Sequence, residues 1–70
     1  MQMPTAKLYT IRLKGKLDPK WAEWFDGLVM AYSGEDTILT GLIVDQAELH
    51  GYLGKIRDLG IPLISLNMDE

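Results

Sequence analysis

Residues 38–65, "ILTGLIVDQAELHGYLGKIRDLGIPLIS", carry a strand signal, a helix signal and a second strand signal in direct succession. The first belongs to an apolar, β-favouring run from Thr37 to Val44. Asp45 stands where a helix N-cap belongs, its carboxylate free to accept from the unpaired N–H groups of the first turn. Glu48 follows three residues later, the spacing of a capping box with Asp as its first member. Leu49, Tyr52, Leu53, Ile56 and Leu59 recur at the spacing of one buried helical stripe. Gly60 marks the helix end, and "IPLISLN" (61–67) reads as a short last strand. Pro62 has no N–H to give a ladder, so that strand belongs at a sheet edge.

The pattern extends upstream. "LVMAY" (28–32) is another strand-like run, and "SGED" (33–36) separates it from the next, so the two read as a hairpin turning around Gly34. "LDPKWAEWFDG" (17–27) reads as a helix: Asp18 caps it, and Pro19 takes the first position, where a missing N–H costs nothing. Trp21, Trp24, Phe25 and Leu28 fall on one stripe, and Gly27 is a C-terminal stop. In "KLYTIRL" (7–13), Tyr9, Ile11 and Leu13 alternate with Thr10 and Arg12, the mark of a half-buried strand.

The order is strand, helix, strand, strand, helix, strand. Right-handed crossovers around a hairpin then give an α+β, ferredoxin-like split βαβ domain spanning residues 1–70. Its four-stranded antiparallel sheet is expected to carry both helices on one face, with strands 1 and 3 central and strands 2 and 4 at the edges.

Two features of this scheme point outward. In the second helix Ala47, Gly51 and Gly54 lie opposite the apolar stripe, forming a seam of small side chains. An interior helix glycine costs about 0.5–1 kcal/mol relative to alanine, and close approach by another chain is one physical reason to keep two. The sheet also has more apolar residues than one covered face can use. In strand 3, Leu39 and Ile43 have one parity and Ile38, Leu42 and Val44 the other, and the last strand sets Ile61 and Leu63 against Ile64 and Leu66, where a one-sided sheet should alternate with polar residues. Apolar side chains left on an uncovered face mark an interface.

Composition narrows the functional classes. The chain has 70 residues, no cysteine and a formal net charge of −3. Without cysteine there is neither a disulfide framework nor a thiolate metal site. A secreted domain this small usually needs such staples, so a cytoplasmic protein is expected. The opening "MQMPTAK" lacks a signal peptide's apolar core, and no apolar run reaches the length of a membrane span. Negative charge disfavours nucleic acid and anionic membrane as partners. Strand 3 also lacks the aromatic residues with which RNA-recognition sheets stack bases.

Side chains that could carry chemistry are few. His50 is the single histidine, at the flank of the apolar stripe, with Gln46 and Arg57 along the same flank. No second metal ligand stands beside it, and no serine or cysteine nucleophile has a recognisable spacing. Catalytic, cofactor and metal sites are therefore all assigned as none, and a non-enzymatic role is expected.

The run Leu39, Thr40, Gly41, Val44, Asp45, Gln46, Ala47, Leu49, His50, Gly51, Leu53, Ile56, Arg57, Asp58, Leu59, Gly60, Pro62, Leu63 and Ser65, with "WAEWFDG" upstream, resembles a family of short uncharacterised bacterial proteins. The resemblance covers roughly residues 8 to 66 and implies a family without implying an activity. The topology is also similar to ACT domains, which bind small molecules as dimers. That likeness places a candidate ligand or interface site at Thr40, Gly41, Asp45, Gln46, His50 and Arg57. The expected role is a homodimeric protein-interaction or assembly module, with an ACT-like metabolite-binding domain as the alternative.

Overall fold

Strand β1 (Lys7–Leu13) pairs antiparallel with both β3 (Asp36–Ile43) and β4 (Leu63–Asp69), and β3 pairs antiparallel with β2 (Val29–Ser33), so the sheet runs β2-β3-β1-β4. The computed structural model describes residues 6–69. Met1–Thr5, which supplied most of the leader reading, and Glu70 lie outside the described residues.

Register fixes which face is core. Ile11 pairs with Leu39 and Leu66, Tyr9 with Gly41 and Met68, and Leu13 with Thr37. Odd residues of β1 and β3 therefore share one face, and Ile11, Leu13, Leu39 and Ile43 on it are buried. Phe25, Leu28, Leu49 and Ile56 join them in one cluster, so both helical segments cover this face. Each fully buried side chain of this kind is worth about 1.5–3 kcal/mol of transfer from water.

Helix α1 (Gln46–Leu59) begins and ends on its sequence signals. The Asp45 carboxylate accepts from the Glu48 N–H at 2.8 Å. Glu48 does reach back, but it accepts from the Val44 N–H at 3.0 Å, one residue before the cap. At the other end Gly60 takes φ +72°; its N–H bonds the Arg57 carbonyl at 2.9 Å, and the Ile61 N–H bonds the Ile56 carbonyl at 3.4 Å. This is a Schellman closure.

The first helical segment departs from expectation. Pro19–Phe25 is a 3-10 helix where an α-helix was expected, with Asp18 accepting from the Lys20 N–H at 3.0 Å. At three residues per turn, positions i and i+3 stack. Trp21 lies on Trp24, ring centroids 5.2 Å apart, while Phe25 and Leu28 go into the core. The fold is thus α+β with a four-stranded antiparallel sheet, one α-helix and one 3-10 helix. A second correction concerns Pro62: it precedes β4 instead of lying within it, and its carbonyl accepts from the Lys14 N–H at 3.0 Å.

Thr37 is fully buried on the core face. Its hydroxyl donates to the Gly15 carbonyl at 2.7 Å and accepts from the Leu17 N–H at 2.9 Å. Tyr32 adds a hydrogen bond from its hydroxyl to the Leu17 carbonyl. These contacts lash the loop after β1 to the end of the hairpin.

Candidate interaction surface

The even positions of the central strands face away from both helices. Leu8 lies opposite Leu42, Thr10 opposite Thr40, and Arg12 opposite Ile38. On β2, Val29 and Ala31 continue the Thr40 and Ile38 rows. Val29 is 70% exposed and Leu42 62%. Arg12 and Asp36 on this face bind each other, Nη2 to Oδ2 at 2.8 Å and Nε to Oδ2 at 2.9 Å. The uncovered face therefore mixes exposed apolar side chains with threonines, Ser65 and Asn67, and carries a pair of opposite charges already matched.

The edge strand β4 is exposed differently. Leu66 and Met68 point to the helix side, because they pair with Ile11 and Tyr9, yet they remain 37% and 45% exposed. Leu63 and Ile64, where the register shifts opposite Arg12 and Leu13, are 46% and 49% exposed.

Helix α1 is held on its other flank. The Tyr52 hydroxyl donates to the Asp26 carbonyl at 2.7 Å, and Lys55 Nζ donates to the Trp24 carbonyl at 2.7 Å. Both bonds satisfy carbonyls at the end of the 3-10 helix, where a cation such as Lys55 is favoured. Burial of the Tyr52 hydroxyl, then the charges of Glu48 and Asp26, push its pKa above the ordinary tyrosine value.

The proposed ligand residues do not gather in one place. Thr40 sits on the uncovered sheet face, whereas Gly41 faces the core under Gly27 and Leu28. Asp45 is engaged as the cap of α1, and Gln46 is exposed beside it. His50 and Arg57 do come together: with Leu53 and Gly54 they line a shallow depression of about 320 Å³. Arg57 is 4.0 Å from Asp58 and well exposed. The seam of Ala47, Gly51 and Gly54 is open on the helix, and a Cβ added at either glycine would meet nothing within 4 Å. Among the described residues no three His, Cys, Asp or Glu side chains come together as metal ligands, and no helix is long and apolar enough to cross a membrane.

A family model described as a domain of unknown function, DUF8691, matches residues 8–67. The chain belongs to this family. No curated protein and no solved structure matches it.

The sequence already showed apolar residues of both parities on the last strand, Ile61 and Leu63 against Ile64 and Leu66, but gave no role to Thr37. The β4 signal was present: "LISLNM" has apolar residues at both parities and no charge. The Thr37 signal was absent, because a threonine opening a strand looks the same whether or not it clamps a loop.

Proposed function

We propose that this chain is a non-enzymatic assembly module that works as a homodimer, on a ferredoxin-like split βαβ scaffold whose first crossover helix is shortened to a 3-10 turn. One observation carries the reading. Among the described residues, every large apolar side chain that is clearly exposed lies on a strand or, for Val44, one residue past it, and none lies on either helical segment. The helices hide their apolar stripes, while the sheet leaves Val29, Leu42, Leu63, Ile64, Leu66 and Met68 in water. Val29 and Leu42 lie on the uncovered face, Leu66 and Met68 on the helix side of the β4 edge, and exposed apolar groups beyond a scattered few are characteristic of contact sites. Gel filtration with light scattering tests it: the expected mass at micromolar concentration is twice the 7.9 kDa of the chain. A mass of one chain across a concentration series overturns the reading.

A second reading, an ACT-like domain binding a small metabolite, draws on the depression between His50 and Arg57, which offers two nitrogen-bearing side chains beside an apolar one. A thermal-shift screen against anionic metabolites tests it. Stabilisation that disappears in Arg57→Ala supports it, and no stabilised sample removes it.

A further inference from the structure

We propose that two copies of this chain join edge to edge through β4, antiparallel, about a two-fold axis at Leu66, making one continuous eight-stranded sheet. The proposal deepens the homodimer reading and rests on it.

Among the described residues, strand β4 is an edge with a partner on one side only, β1. Its other side presents unpaired backbone groups, a ready template for another strand. Natural edges are usually blunted by charge, proline or shortness. Residues 63–68 contain none of these three devices: Leu63–Asp69 is seven residues long, Pro62 lies outside it, and Asp69 at its end is its one charge. The one irregularity, the register shift at Leu63 and Ile64, lies at the start of the strand and leaves Ser65–Asp69 in regular register with β1.

The sequence of the strand says what pairs with it. "ISLNM" (64–68) reads apolar, polar, apolar, polar, apolar, and so has the same pattern in both directions around Leu66. In an antiparallel pair centred there, Leu66 faces its own copy, Ile64 faces Met68 of the partner subunit, and Ser65 faces Asn67 of the partner subunit. Apolar side chains meet apolar ones on the helix side, and polar meet polar on the other. Cross-strand pairs are the unit of sheet stabilisation. The three apolar side chains involved are 49%, 37% and 45% exposed in the single chain, so each has surface left to bury.

Charge selects the same arrangement. Each copy carries −3, and an uncharged strand is where two such copies can meet. An antiparallel pair about Leu66 holds the two Asp69 carboxylates roughly 20 Å apart, six residues at about 3.3 Å each. That exceeds the Debye length of about 8 Å in physiological salt. A parallel pair would set them side by side.

The test uses charge exchange on the polar row, which faces away from the core. The Ser65→Asp, Asn67→Asp double variant and the Ser65→Lys, Asn67→Lys double variant each place like charges opposite one another in the dimer. Each alone is expected to run as a monomer by light scattering with an unchanged circular dichroism spectrum, and an equimolar mixture is expected to recover the dimer mass. Dimers that survive in both variants overturn the β4 contact while leaving self-association standing. A monomeric wild type overturns both. A mixture that stays monomeric overturns the antiparallel register, as would an edge that takes a foreign peptide instead. Should a double variant unfold, Leu66→Cys decides: in a chain with no other cysteine, mild oxidation is expected to give a covalent dimer, with Val29→Cys on the opposite edge as the control. Equal cross-linking of the two, or none at Leu66→Cys, overturns the proposal.

Discussion

Gly41 lies directly beneath Gly27: a Cβ added to Gly41 would stand 2.7 Å from the Gly27 carbonyl oxygen and 2.7 Å from Leu28 Cδ2. The chain leaving the 3-10 helix passes here between strand β3 and helix α1. A Cβ on Gly27, at φ +96°, would stand 2.8 Å from the Tyr52 hydroxyl on the other side. Glycine in a strand often marks such a close backbone approach. Gly41→Ala is therefore expected to destabilise by about 1–3 kcal/mol, the usual range for overpacking a core. Gly51→Ala on α1, where a Cβ meets nothing within 4 Å, is expected to stabilise by about 0.5–1 kcal/mol. Urea melts of the two variants check the opposite signs, and equal shifts would disprove the packing role of Gly41.

Thr37 supports the loop 15–17 through one hydroxyl used twice. Thr37→Val keeps the shape and leaves the Gly15 carbonyl and the Leu17 N–H without that partner. A buried group deprived of its hydrogen bond costs about 1–3 kcal/mol. Thr37→Ser retains the hydroxyl and should lose mainly the packing of one methyl group. Chemical denaturation of both variants reads the difference. A valine variant as stable as the serine variant would show that water replaces the clamp without loss.

Much of this was legible in the sequence, and the exceptions have separate causes. The alternation of Tyr9, Ile11 and Leu13, the Asp45 cap and the Gly60 stop are local signals, and each lies where it was read. The 3-10 helix was not legible, because Trp21, Trp24, Phe25 and Leu28 satisfy i+3 and i+4 spacings together. The segment also leads straight into the close approach of Gly27 and Leu28 to Gly41, a contact between distant parts of the chain that no local spacing announces. The candidate ligand residues scattered for a different, local reason. Thr40 and Gly41 are neighbours in sequence, and a strand sends neighbours to opposite faces.

The Tyr52 hydroxyl, donating to Asp26 and facing the charge of Glu48, predicts a loss of stability in base. Its pKa is raised in the folded chain above the ordinary value of 10.0. The folded state therefore holds the proton more tightly than the unfolded state does. That contribution is fully present below pH 10.0 and is lost as the pH rises through the folded value. Stability of the wild type measured between neutral pH and strong base should fall more steeply than that of Tyr52→Phe, which has no proton to lose at this position. Parallel curves for the two proteins would remove Tyr52 as the cause.

Gly54 separates the two surfaces through which copies could meet. It sits inside α1, between His50 and Arg57, with open space where a side chain would be. In a single chain both Gly54→Ala and Gly54→Gln should stabilise, because each residue is a better helix former than glycine by up to about 1 kcal/mol. Association tells them apart. If the small-residue seam were the contact, glutamine would hold the chains apart while alanine would be tolerated, and the dissociation constant would rise only in the glutamine variant. If the sheet is the contact, neither variant touches it. The expected result is therefore a higher melting temperature in both variants with an unchanged dissociation constant by sedimentation. A weaker dimer in Gly54→Gln alone would move the interface from the sheet to the exposed face of α1.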